Sequence, residues 1–264
     1  SLAILALLKD DVPLKRGCLA VTGGQEWYIC GIQEKKTVFT FWQWGKDKSV
    51  YKCSTPDILS CIHFSQDGNY ALAGSESGEI FLWEVVTGKM IRKWNAHYRR
   101  VNKIISSEDF GIIISAGEDS QILVWMTSQI LKENTKIQSS NQGSQGARND
   151  ITALFSLQSH HGSVNDVFMN RMPNYGLLLS CSSDSTAKLW DITTGKLLNT
   201  IVLETPLNCC TLNLDSSKVY LGGSDGTVYI MPTTLNNHKN ALVGTETEAN
   251  KDKITKLTGH FSSV

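Results

Sequence analysis

An all-β fold is predicted for this chain, a β-propeller made of four-stranded blades, and three observations predict it. Trp42, Trp83, Trp125 and Trp190 are separated by 41, 42 and 65 residues, the last interval becoming a normal one once a polar insertion is set aside. The text around three of them recurs as LAGSESGEIFLWEVVTG (72–88), ISAGEDSQILVWM (114–126) and LSCSSDSTAKLWDITTG (179–195). Within each copy, short apolar and β-branched runs alternate with Gly, Asp and Asn turns, which is how antiparallel strands joined by tight hairpins read. A period of about 40 residues with this content means radially repeated sheets, each of which buries its faces only against its neighbours.

The units follow in order. CLAVTGGQEWYICGIQEKKTVFTFWQW (18–44) is a recognisable but degenerate first unit. In the second, the strands are expected at Leu59–Phe64, Tyr70–Gly74, Ile80–Trp83 and Met90–Trp94, divided by the turns Gln66-Asp67-Gly68-Asn69 and Thr87-Gly88, where glycine supplies positive φ. The third unit uses Val101–Ile105, Ile112–Ala116 and Ile122–Trp125, and the fourth Val164–Met169, Leu177–Cys181, Ala187–Trp190 and Leu197–Ile201. A weaker fifth unit runs from Leu207 through YLGGSDGTVYIM, with Met231 standing 41 residues after Trp190 where a tryptophan is expected, and its outer strand is placed at Ile254–Leu257.

Residues 127–158 are assigned to a polar insertion between the third and fourth units. Its centre, KENTKIQSSNQGSQGARND (132–150), is expected to form a surface loop that stays out of the core. Leu257-Thr258-Gly259-His260-Phe261 repeats wording that opens a unit, and the apolar stretch Leu2–Leu8 reads as an outer strand without its blade. The expectation is a single domain over 1–264, incomplete at one or both termini, with about five units plus edges here and about seven blades when whole.

Composition narrows the function. With 264 residues, 41% apolar, the chain has enough material for a large core. Twenty-five basic and 25 acidic residues cancel, which excludes a globally basic nucleic-acid-coating surface but not a local patch. Cys18, Cys30, Cys53, Cys61, Cys181, Cys209 and Cys210 form no C-x-x-C pair and are expected as small, reduced core residues. Together with the lack of an N-x-S/T acceptor, they favour the cytosol or nucleus. No membrane association is expected.

Two polar sets look at first like catalytic triads: His97, Ser115 and Asp119 with Trp125, and His160, Ser180 and Asp184 with Trp190. In both, Asp lies six residues before Trp and Ser four before Asp, with His at the turn entering the innermost strand. A structural role is expected: Asp accepts from the imidazole, the other ring nitrogen meets the serine hydroxyl, and that hydroxyl accepts from the indole N–H. The second unit has Ser77 in the aspartate position and no histidine ahead of Ile58, and the fifth lacks tryptophan and a serine partner. Those two are expected to rely mainly on apolar packing. Thr22-Gly23-Gly24 and Gly222-Gly223-Ser224-Asp225-Gly226 match no phosphate-binding motif, no His/Cys/carboxylate spacing suits zinc, and Glu26, Glu34, Glu76 and Glu118 are turn or rim residues. Along the innermost strands the polar candidates Ser60, His63, Asn102, Asn165, Asp166, Asn208 and Asn213 are too sparse for a channel active site. No catalytic, cofactor-binding or metal-binding residue is assigned.

These motifs resemble WD repeats, and the tetrads match the hydrogen-bonded tetrad of that family. A narrower likeness appears in LAGSESGEIFLWEVVTGKMIRKWNAHYRRVNKI (72–104), with G-S-x-S-G before Trp-Glu and Ala-His-Tyr in place of Gly-His. That run, the insertion and the tryptophan-less fifth unit resemble the WD-repeat subunit of the Rix-type complex. The resemblance implies a nuclear, non-enzymatic scaffold in late 60S assembly and removal of the second internal transcribed spacer. Its implied partners are a helical-repeat subunit, a HEAT-like subunit, the pre-60S particle and, indirectly, a midasin-type AAA ATPase. A WD-repeat adaptor of another complex, such as a ubiquitin-ligase substrate receptor, is the alternative. The loops entering the innermost strands share a rim with the turns between second and third strands, so Tyr98, Arg99, Arg100, Glu118, His161 and Ser183 form the candidate partner-binding rim, with direct RNA contact by Arg99 and Arg100 left open.

Overall fold

The structure, a computed structural model, describes residues 14–21, 28–33, 37–43, 49–132, 151–170, 176–233 and 254–260. The expectations at Leu2–Leu8, at Thr22-Gly23-Gly24 and along 133–150 lie outside the described residues.

Five four-stranded antiparallel sheets follow one another along the chain. The first holds β1 (Leu14–Val21), β2 (Tyr28–Gln33), β3 (Val38–Gln43) and β4 (Ser49–Ser54), and the second β5 (Leu59–Phe64), β6 (Tyr70–Ser75), β7 (Glu79–Glu84) and β8 (Met90–Asn95). The third contains β9 (Val101–Ser106), β10 (Ile112–Gly117), β11 (Gln121–Met126) and β12 (Phe155–Gln158), with a helical turn, α1 (Thr127–Ile130), after β11. In the fourth are β13 (Val164–Met169), β14 (Leu177–Ser182), β15 (Thr186–Asp191) and β16 (Lys196–Val202); the fifth has β17 (Leu207–Leu212), β18 (Lys218–Gly223), β19 (Thr227–Pro232) and β20 (Thr255–Thr258). The innermost strands β1, β5, β9, β13 and β17 stand beside one another in chain order, as the inner strands of propeller blades do.

The repeated tryptophans mark one structural position. Trp42, Trp83, Trp125 and Trp190 lie on the third strand of successive sheets, opposite Ile29, Ala71, Ile113 and Leu178 of the second strand, and Met231 takes the same place opposite Val219 in the fifth. In the second to fourth sheets the second and third strands are buried on both faces because a sheet packs on either side, so their sequences are continuous apolar runs and not alternating ones. Each gap between sheets is filled by its own core. Phe39, Phe41, Phe81 and Trp83 fill the first gap, with Trp83 5.0 Å from Phe39. Trp94 and Trp125 meet edge-on at 5.9 Å in the second. Trp190 with Val164 and Leu178 closes the third, and Tyr229 with Leu179 and Leu221 the fourth. Each fully buried large side chain contributes about 1.5–3 kcal/mol. Cys30, Cys61, Cys181 and Cys210 are buried in these gaps as free thiols.

Polar side chains at one repeated position link the inner strands. Ser60 donates to the carbonyl of Val101 at 2.5 Å, Asn102 to that of Val164 at 2.9 Å and Asn165 to that of Leu207 at 2.7 Å. Each reaches from the second residue of one inner strand to the first residue of the next. One position further along, Lys103 forms an ion pair with Asp166 at 3.1 Å across the same seam. Ser60, Asn102, Asn165 and Asp166, considered only as channel lining, are thus fasteners between blades, and Lys103, absent from that set, is another.

The span 127–158 is not wholly an insertion. Its end supplies β12, which pairs with β11 from Gln121↔Gln158 to Val124↔Phe155 and completes the third sheet. Its beginning forms α1, where Ile130 is fully buried against Trp94 and Trp125, and Leu131, Ile151 and Ala153 pack on the same cluster. Arg92 holds this base to the second sheet, donating from Nε to the Ile130 carbonyl at 3.0 Å and from its other arm to the Lys132 carbonyl. The assignment of 127–158 to an insertion between units is corrected at both ends: the chain must return to edge-pair with β11, and its apolar residues seal the seam as it does so.

Candidate functional site

In the third blade His97 sits in the loop between β8 and β9, Ser115 on β10, Asp119 in the turn before β11 and Trp125 on β11. His97 Nδ1 lies 2.9 Å from Asp119 Oδ1, its Nε2 lies 2.8 Å from Ser115 Oγ, and the Trp125 indole donates to Ser115 Oγ at 3.0 Å. An ionised Asp119 accepts a hydrogen bond from Nδ1–H, so Nε2 accepts from the serine hydroxyl and the chain of donors closes. The fourth blade repeats it, with His160 Nδ1 3.2 Å from Asp184 Oδ2, Nε2 2.8 Å from Ser180 Oγ, and Trp190 donating to Ser180 Oγ at 2.9 Å. Ser115 and Ser180 are fully buried, so neither hydroxyl is open to an incoming substrate.

The carboxylates are tuned for this role. Burial opposes charge on Asp119, but the His97 ring and the backbone N–H groups of Tyr98 and Gln121 hold its pKa below the usual carboxylate value. Burial likewise opposes charge on Asp184, yet the Thr186 hydroxyl, the His161 N–H and His160 bring its pKa down to about 2. For His160, burial lowers the pKa more than Asp184 raises it, which keeps the ring neutral.

The second and fifth blades carry polar networks that the repeat pattern conceals. Asp57, directly before Ile58, accepts from the Ile58 N–H at 2.7 Å and from the Ser77 N–H at 2.9 Å, and Ser75 Oγ lies 3.1 Å from Ser77 Oγ. The acid has moved to the incoming loop and a serine to the turn, so the carboxylate still ties the two together. In the fifth blade Tyr229, 3% exposed, donates to Asp225 Oδ2 at 3.0 Å and lies 3.3 Å from the Thr205 hydroxyl. Both blades thus carry polar ties beside their apolar packing. Tyr229→Phe is expected to lower the melting temperature by roughly 2–4 °C in a calorimetric scan, because Asp225 loses a donor while the ring still fills its space.

Tyr98, Arg99, Arg100, Glu118, His161 and Ser183 are all exposed, Tyr98 at 89%. The Tyr98 and His161 N–H groups donate to Asp119 at 3.1 Å and Asp184 at 2.8 Å, so each tetrad anchors the loop that presents the rim. Glu118 N–H donates to the Arg100 carbonyl at 2.8 Å, which holds the turn against the loop, and Ser183 N–H does the same to the Ser163 carbonyl at 2.9 Å. Tyr98, Arg99, Arg100 and Glu118 therefore gather on the third blade, and His161 and Ser183 on the fourth. The turn glycine of the second blade shows how tight the rim backbone is: Gly78 has φ +95°, and a Cβ there would lie 2.0 Å from the His97 carbonyl oxygen. Among the described residues no group of three or more His, Cys, Asp or Glu can hold a metal ion, and no helix is long and apolar enough to cross a membrane.

Comparison with known proteins decides the family of this architecture. The family model described as WD domain, G-beta repeat matches residues 45–84, 88–126 and 151–191, the segments that hold the second to fourth tryptophans. The chain is a WD-repeat propeller. This propeller is 29% identical over 190 residues to Protein ROOT INITIATION DEFECTIVE 3 of Arabidopsis thaliana, covering 72% of the chain and 41% of that protein. It is 31% identical over 194 residues to Pre-rRNA-processing protein IPI3 of Mycosarcoma maydis, covering 73% of the chain and 32% of that protein. With WD repeat-containing protein 18 of Homo sapiens it shares 28% identity over 213 residues, 80% of the chain and 46% of that protein. The WD propeller spans less than half the length of these three relatives.

Proposed function

We propose that this propeller is the interaction core of a non-enzymatic, nuclear scaffold in late 60S assembly, acting in processing of the second internal transcribed spacer. The similarity to relatives named as pre-rRNA-processing proteins carries this reading. The geometry supports it in a second way. Both Ser-His-Asp sets are closed inside the blades, and the residues they support on the rim are a tyrosine, two arginines and a histidine, side chains suited to anchoring a partner. The implied partners are a helical-repeat subunit, a HEAT-like subunit and, through them, the pre-60S particle and a midasin-type ATPase.

Affinity purification of the full protein from cells, with mass spectrometry and RNA analysis of the eluate, tests the proposal. Co-recovery of the two partner subunits with precursor large-subunit RNA is expected, and Arg99→Glu combined with Arg100→Glu is expected to lower that recovery at least about five-fold. Recovery of ubiquitin-ligase subunits without precursor particles contradicts the assignment. Full recovery with the double reversal removes these arginines from the docking surface.

A further inference from the structure

We propose that a groove between the second and third blades, opening on the rim beside Tyr98, binds a basic side chain, arginine above all, of an extended segment of a partner protein. The groove is open to solvent, with a volume of about 620 Å³, and Glu79, Asn95, Tyr98, Gln121, Leu123 and Ala153 are among its lining residues.

Its chemistry is divided along its length. Leu123 and Ala153 give an apolar floor that suits a methylene stem. Glu79 and Asn95 face each other across the β7–β8 pair, and Gln121 begins β11 opposite them. Glu79 and Gln121 are half-buried and Asn95 is exposed. Here Glu79 Oε1 has only a 3.5 Å contact with the exposed Lys93, and among the described residues its Oε2 and the side-chain amides of Asn95 and Gln121 have no hydrogen-bond partner. A carboxylate oxygen and two amides thus converge uncommitted on one space. Tyr98 stands at its mouth, 89% exposed, as an aromatic face for a planar cation.

Charge decides the occupant. Glu79 carries the groove's open charge, because the lining His97 is committed to Asp119 and Ser115, and Arg99 and Arg100 lie outside it on the rim. A guanidinium fits all of these features: two N–H groups reach Glu79, the stem lies on Leu123, and the plane stacks on Tyr98, while Asn95 and Gln121 take the N–H and C=O of the peptide that carries it. An acidic side chain or a phosphate placed there meets Glu79, whose one cationic neighbour among the described residues is the exposed Lys93 at 3.5 Å.

The inference rests on the scaffold reading only in treating this rim as a binding surface, and its test needs no ribosomal particle, so the two fail separately. Fluorescein-labelled nonapeptide pools, with Arg, Leu or Glu fixed at the centre among Gly, Ser and Ala, are titrated with the purified full chain by fluorescence polarisation, alongside a labelled single-stranded RNA. The Arg pool is expected to bind at least about ten-fold more tightly than the Leu and Glu pools. Glu79→Gln and Tyr98→Ala are each expected to remove that preference with an unchanged melting temperature, and Glu79→Lys to transfer it to the Glu pool. Equal binding of the pools, no binding, or an Arg preference that survives Glu79→Gln overturns the proposal. So does binding of the RNA through Tyr98 while the Arg pool stays idle, which assigns the rim to nucleic acid.

Discussion

Asp184→Ala is expected to lower the melting temperature by roughly 6–12 °C, which corresponds to a loss of about 3 kcal/mol in a chain of this size. The carboxylate accepts from the Thr186 N–H at 2.9 Å, the Thr186 hydroxyl at 2.6 Å and the His161 N–H at 2.8 Å, besides its contact with the His160 ring. Truncation strands these donors, of which the His160 ring is buried and the Thr186 groups are part-buried. Acid has a similar effect. The Asp184 pKa of about 2 lies below the ordinary carboxylate value, so its contribution is complete above that ordinary value and is lost as pH falls towards 2. Glu118→Ala, an exposed rim change one blade away, serves as the control and is expected to leave the melting temperature unaltered. A melting temperature unchanged by Asp184→Ala places Asp184 outside any structural network.

The second large effect is a loss of stability between neutral pH and pH 5, centred on His63. Its Nε2 accepts from the Ser106 N–H at 3.1 Å and lies 3.0 Å from the Ser106 hydroxyl, a contact between two inner strands that requires an unprotonated nitrogen. Burial, and secondarily the charge of Lys103, push its pKa down to about 4. The folded ring is therefore neutral where the unfolded one takes up a proton. Its contribution is complete above the ordinary histidine pKa and is lost progressively as pH falls from there towards 4. Between pH 7.5 and pH 5 this amounts to about 2 kcal/mol. His160, also lowered, adds a loss of the same sign. Urea unfolding at the two pH values is expected to show the decline, and His63→Gln, which keeps an acceptor for Ser106, is expected to flatten it to the His160 part. An undiminished pH dependence in His63→Gln contradicts the assignment.

How far the sequence could be read follows from where each feature is encoded. The second and third strands of the second to fourth blades were legible because burial on both faces makes each a continuous apolar run closed by turn residues; they extend by a residue at ends such as Glu79, Gln121 and Ser182, where the ladder continues past the last apolar side chain. The two tetrads were legible because all their members recur at fixed offsets. Asp57 escaped because it acts from the loop and not from the turn, and its position directly before Ile58, where histidine is expected, was the available clue. β12 escaped for a different reason: four residues, FSLQ, at the end of a polar run carry too little periodicity to separate them from it. The Lys103–Asp166 pair and the groove beside Tyr98 lie between blades, and no offset within one repeat encodes a contact made across two. Function was legible only through resemblance, since the rim residues carry no motif of their own.

Depletion of the full protein, followed by measurement of precursor rRNA, tests the central claim most directly. The scaffold reading predicts accumulation of precursors that still contain the second internal transcribed spacer, reversed by re-expression of the intact protein. Unchanged levels of those precursors after complete depletion would contradict it.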